Sequence, residues 1–175
     1  IQTLFELDNR DIWVGTGRGI YVYERKKDHF IYFDKLTQYG VSISSGISKI
    51  YRAPDGQLWI GTLGQGLFIY NPKTDELIQN SSHTVFISDI VGQSTGVVYV
   101  ASIQDGLLSF DSRGKFLKKH PLRQGAEEKE EYKLNALLNM GKNLWISTDS
   151  RRLLKYNMEN EDVEEIMINS KGVEN

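Results

Sequence analysis

Cysteine is absent from the 175 residues. Disulfide staples and thiolate metal sites are therefore excluded. That absence suits a bacterial periplasm and a cytoplasm equally. An excess of basic charge is missing too: 21 Lys and Arg stand against 23 Asp and Glu, a net charge of -2. A nucleic-acid surface needs a basic field, so no nucleic-acid partner is expected. No apolar run reaches the roughly eighteen residues of a membrane-spanning helix, and no membrane contact is expected of this stretch. The start, Ile1-Gln2-Thr3-Leu4, shows neither Met nor a signal-peptide pattern. It reads as a strand, and the chain is expected to be a piece of something longer. What is present suits a globular fold: 39% hydrophobic and 11% aromatic residues.

The chain repeats itself. Trp13, Trp59, Tyr99 and Trp145 anchor four copies spaced 46, 40 and 46 residues apart. The copies read IWVGTGRGIYVY (12–23), LWIGTLGQGLFIY (58–70), VYVASIQDGLLSF (98–110) and LWISTDSRRLLKY (144–156). Each is an aromatic, a branched aliphatic, a small residue and Thr or Ser, then a turn and a second apolar run. A period of about 40 to 46 residues is the size of a four-stranded propeller blade. A short strand precedes each copy, at 3–7, 48–52, 88–92 and 135–139, and a last strand follows, at 30–33, 76–79, 116–119 and 163–168. The connecting turns are rich in Asn, Asp, Gly and Pro, as Asn71-Pro72-Lys73-Thr74-Asp75 shows. Hairpin-length turns imply antiparallel neighbours.

Both faces of LWIGT and GLFIY are apolar. A strand with one wet face would alternate, whereas a blade packed between two neighbours is covered on both sides. The fold class expected is all-β: four consecutive four-stranded antiparallel blades at about 1–35, 47–80, 84–119 and 132–168, a propeller fragment followed by a polar tail at 169–175. The small residues Gly61, Ala101 and Ser147 are expected where blades approach closely. The run Glu127-Glu128-Lys129-Glu130-Glu131 reads as a solvated loop.

The pattern G-x-L-W-I-G-T-x-x-x-G-L-x-x-Y-N-P-x-T at 56–74 resembles the two-component-regulator propeller repeat. Unit one matches at 12–23 without the Asn-Pro turn. Unit three has Tyr99 for Trp and Ala101-Ser102 for Gly-Thr; unit four has Ser147-Thr148 there and Arg152 for the turn Gly. The resemblance implies the periplasmic sensor region of a Bacteroidetes-type hybrid two-component histidine kinase. In that family more such blades build two propellers, ahead of an immunoglobulin-like domain, a membrane helix and the kinase. The ligands implied are oligosaccharides, and no catalytic residue carries over. More loosely, the repeat resembles the propeller of streptogramin lyases. That would imply a metal held by His and Glu on inner loops, yet His29, His83 and His120 fall between units. A structural, protein-binding propeller is the third reading.

Other motifs weaken on context. Gly92-Gln93-Ser94-Thr95-Gly96 fits a nucleophile elbow, which needs a strand before it and a helix after it; here a strand follows. The loops Gly15–Gly19 and Gly61–Gly66 lack the helix N-terminus that phosphate cradling requires. The acidic turns at 8–11 and 159–162 lack the spacing of a calcium loop. The tryptophans could stack on sugars, but their repetition marks them as core. No cofactor, metal or catalytic residue is expected. The ligand-binding candidates are the turns between second and third strands, namely Arg18, Gln65, Gln104, Asp105, Ser150, Arg151 and Arg152. Guanidinium and amide groups suit hydroxyl- and carboxylate-rich ligands. The expected partners are a small carbohydrate, further blades of the parent chain, and a second copy through exposed end blades.

Overall fold

The computed structural model describes residues 1–80, 85–122, 132–150 and 152–167. They form sixteen strands in four sheets. Blade 1 holds β1 (Thr3–Glu6), β2 (Ile12–Thr16), β3 (Gly19–Glu24) and β4 (His29–Tyr32). Blade 2 holds β5 (Ile47–Arg52), β6 (Leu58–Thr62), β7 (Leu67–Asn71) and β8 (Glu76–Asn80). Blade 3 holds β9 (Ile87–Gly92), β10 (Val98–Ser102), β11 (Gly106–Phe110) and β12 (Phe116–His120). Blade 4 holds β13 (Leu134–Met140), β14 (Asn143–Thr148), β15 (Arg152–Asn157) and β16 (Val163–Met167). Every sheet is an antiparallel meander in chain order. This is the all-β blade arrangement that the repeats imply. His83, the charge run 127–131 and the tail 169–175 lie outside the described residues.

Side-chain chemistry explains the turns. Asn71, Asp111 and Asn157 occupy one repeat position, just past the third strand. Each carboxamide or carboxylate oxygen accepts a backbone N–H two residues on, from Lys73 at 3.0 Å, Arg113 at 2.9 Å and Glu159 at 2.9 Å. Such local bonds favour turns over continued strand. Asp75, Gly114 and Glu161 lie in these turns at positive φ (57°, 82° and 65°), and Asp28 lies in the corresponding turn of blade 1 at 52°.

Blades pack face to face, first strand against first strand: β1 on β5, β5 on β9, β9 on β13. No comparable packing joins β13 to β1 among the described residues. One apolar cluster fills each junction. Trp13, Val22, Ile47, Ile60 and Phe68 lie in the first, and Trp59, Ile69, Ile87, Val100 and Phe110 in the second. Tyr99, Ala101, Leu134, Ile146 and Tyr156 lie in the third. Each large side chain so buried contributes about 1.5–3 kcal/mol. The second strands of blades 2 and 3 are buried at every residue, whereas β4 is exposed throughout.

Two expectations need correction. Trp145 is only partly buried, because among the described residues no blade packs on its side of blade 4. His29 and His120 do not lie between units: His29 opens β4, and His120 ends β12, where it is buried.

Charged and polar groups also cross the junctions. Arg52 pairs with Asp8 and Lys35 with Asp75. Lys49 Nζ lies 2.8 Å from Asp89, whose other oxygen accepts the Leu137 N–H at 2.8 Å. Lys118 pairs with Glu161. Exposed pairs of this kind are screened by solvent and contribute little. The Asp89 carboxylate is nearly buried and ties three first strands together, so it matters more.

Candidate functional site

The turns between second and third strands share one end of the blades with the connectors between blades. Backbone bonds lace the two sets. Gly19 N donates to Ser45 O (3.0 Å), Leu63 N to Gly46 O (2.8 Å), Ile103 N to Phe86 O (3.0 Å) and Asp149 N to Lys133 O (3.1 Å). The face is thus a set of loops held on a rigid scaffold, the usual setting for binding.

The hydroxyl repeated in every unit shapes these turns from within. Thr16 Oγ1 donates to Gly19 O at 3.0 Å and accepts the Arg18 N–H. Thr62 Oγ1 donates to Gly66 O at 2.7 Å and accepts the Gln65 N–H at 2.9 Å. Ser102 Oγ accepts the N–H groups of Gln104 and Asp105, and Thr148 Oγ1 donates to Arg152 O. These hydroxyls are turn caps, and the sequence shows them only as a regularity.

The candidate residues divide by what holds them. Gln65 is a staple: Oε1 accepts the N–H groups of Ser44 and Ser45, each at 2.8 Å, and Nε2 donates to Ser42 O at 3.0 Å. It pins the connector from blade 1 onto the turn of blade 2. Asp105 accepts the Ser102 hydroxyl at 3.1 Å. Arg152 donates to Tyr132 Oη at 3.2 Å and to Glu165 at 3.0 Å, with its guanidinium 5.8 Å from the Tyr132 ring centre. Those neighbours hold its pKa above the ordinary arginine value, the Tyr132 bond first. Ser150 meets Thr148 Oγ1 at 3.0 Å. The side chains of Arg18 and Gln104 extend into solvent. Arg151 lies outside the described residues. Sequence reading missed Tyr132 and Glu165, the partners of Arg152. The available signal was the departure itself, since Arg152 stands where other units carry Gly19, Gly66 and Gly106.

The remaining motifs are turns or core. Gly92–Gly96 lies between β9 and β10, with Gly96 at φ 89°. A Cβ on Gly92 would fall 2.0 Å from Tyr51 Oη, so close approach of blade 2 accounts for that glycine. His120 Nδ1 lies 2.7 Å from Tyr156 Oη. Burial lowers the His120 pKa to about 4 and raises that of Tyr156. The imidazole is therefore neutral and shares one hydrogen bond with the phenol. No group of three His, Asp or Glu among the described residues is placed to hold a metal ion. No helix among the described residues is long and apolar enough to cross a membrane.

Residues 42–64, which run from the blade 1 connector through β5 and β6, match the family described as two component regulator propeller. No curated protein matches the chain. Two solved structures of the extracellular domain of BT4673 from B. thetaiotaomicron share the fold. One is described as a one component system, with 19% identity and a TM-score of 0.76 over 95% of this chain. The other is described as a hybrid two component system, with 22% identity and the same TM-score over 98%. The chain spans 25% of the length of each. U3-55K matches at 12% identity with a TM-score of 0.73, over 95% of this chain and 51% of that one.

Proposed function

We propose that this chain is a blade segment of the extracytoplasmic sensor of a two-component system, non-catalytic in itself, and that its ligand is a small carbohydrate in the periplasm. The observation that carries the reading is the family match at 42–64, on blades whose fold recurs in the extracellular domain of BT4673. The binding face in this proposal is the laced end of the blades. Arg18 and Gln104 are its contacts, because Gln65, Asp105 and Arg152 already hold the scaffold together.

The test is a thermal-shift screen against neutral and acidic oligosaccharides. A ligand at about one hundred times its Kd stabilises the folded state by about 2.7 kcal/mol. For a chain of this size that raises the midpoint by about 5–10 °C. Arg18→Ala and Gln104→Ala should remove the shift while leaving the unliganded midpoint unchanged. A panel that shifts nothing would defeat the carbohydrate reading. A shift that survives both substitutions would move the site elsewhere.

A further inference from the structure

The last strand of a blade ends beside the start of the third, and the residue that stands there differs between blades. Phe33 N donates to Ile20 O at 2.9 Å, Asn80 pairs with Leu67, and His120 pairs with Leu107. These three hold one repeat position, since Ile20, Leu67 and Leu107 each follow the turn glycine, Gly19, Gly66 or Gly106. At the first junction Phe33 lies between Trp13 and Tyr70, with ring centres 4.7 Å and 5.1 Å away. At the second, Asn80 Nδ2 donates to Gly114 O at 2.5 Å. At the third, His120 lies between Tyr99 and Tyr156, each ring centre at 5.3 Å. A titratable imidazole thus stands where the first junction holds a phenyl ring.

That imidazole is poorly provided for once charged. It is 5% exposed. Its Nδ1 bonds Tyr156 Oη, while its Nε2 is buried and meets no hydrogen-bond partner among the described residues. An imidazolium donates from both nitrogens, and a buried charge left unsatisfied is costly. Around it stand Tyr99 from β10, Tyr156 from β15, Lys118 from its own strand and Glu161 from the turn after β15. Burial raises the pKa of both tyrosines, so they stay neutral. Lys118 repels an added proton. Glu161 attracts it, but already pairs with Lys118.

We propose that the junction of blades 3 and 4 is an acid-opened joint: protonation of His120 loosens blade 4 from blade 3, while the two junctions before it stay closed. Opening hydrates the imidazole, which then takes up a proton at its ordinary pKa of about 6.5. The closed junction holds that pKa at about 4. Acidification from about pH 7.5 to about pH 5 therefore multiplies the ratio of open to closed junction by about 25. Phe33 and Asn80 carry no titratable group, so the first two junctions lack this coupling. The joint lies between two internal faces of the chain and is independent of the ligand reading.

Because the chain has no cysteine, one introduced thiol can report each junction. Ala101→Cys places it in the third apolar cluster and Val22→Cys in the first. Each variant is labelled with a dipyridyl disulfide, and the rate is divided by that of the urea-unfolded variant at the same pH. Where reclosing outpaces labelling, this ratio is the open fraction. For Ala101→Cys it should rise about 25-fold between about pH 7.5 and about pH 5, and for Val22→Cys less than about twofold. Adding His120→Phe, which restores the ring found at Phe33, should abolish the rise. Leu137→Cys, in the same cluster as Ala101, repeats the measurement if Ala101→Cys does not fold. A rise that survives His120→Phe would overturn the proposal. So would no rise at the third junction, or an equal rise at Val22, which would mean that the whole chain unfolds.

Discussion

Truncating Ile87 to alanine tests the blade junction at its tightest point. Ile87 is fully buried among Trp59, Leu67, Val100 and Leu108, with its Cγ2 above Gly61. The substitution removes three buried carbons, about 2.4 kcal/mol of transfer free energy at about 0.8 per carbon. A residual cavity of about 60 Å³ adds about 1.5 kcal/mol at roughly 24 cal/mol per Å³. The expected loss is therefore about 4 kcal/mol. The same substitution at the exposed Ile1 should cost about 0–0.5 kcal/mol. Gly61→Ala pushes a methyl to within 2.7 Å of Ile87 Cγ2, an overpacking worth about 1–3 kcal/mol. In Gly61→Ala/Ile87→Ala the new methyl fills space that Ile87 has left. The double variant should then be at least about 1 kcal/mol more stable than additivity predicts. Urea unfolding followed by tryptophan fluorescence reads all four values. A cost for Ile87→Ala below about 1 kcal/mol, or strict additivity in the double variant, would refute this account of the junction.

His120 should make stability fall on acidification. Its folded pKa, about 4, lies below the ordinary 6.5 because burial penalises the imidazolium. The unfolded chain therefore binds the proton first, and stability is lost as pH falls from about 6.5 to about 4, then levels. The upper bound is about 3 kcal/mol, and His120→Gln should flatten that segment of the urea midpoint against pH. For Gln65→Ala, the loss of three bonds to Ser42, Ser44 and Ser45 should cost about 1–2 kcal/mol. It should also raise hydrogen exchange at Ser44 and Ser45 N–H, while Gly61 and Ile60 keep their protection. Unchanged exchange at those serines would show that Gln65 does not hold the connector.

Most of the architecture was legible because blades are local objects. The Trp59–Tyr70 stretch and its three relatives reveal second and third strands directly, since neighbouring strands are joined by short turns. The Asn, Asp and Gly turns announce their own geometry. Gly61 and Ala101 could be assigned to close approaches because small residues recur there. Site chemistry was harder to read. Gln65 and Arg152 look like free polar groups in a turn, but their partners lie some 13 to 23 residues away along the chain. Only folding brings Ser42 or Glu165 within reach.

The amino-acid order alone determined the strand count per blade and the antiparallel meander, because those follow from side-chain period and turn chemistry. Tertiary structure decided what each exposed face means. Trp13, Trp59 and Trp145 are equivalent in the repeat, yet the first two are buried and the third is only partly so. The difference is the presence of a following blade. The same holds for the bulges at Ser48, Ser88 and Asn135, where the first strand slips register and Ile47, Ile87 and Leu134 become buried. Burial is a property of neighbours, and neighbours across a junction are fixed by packing, not by local sequence.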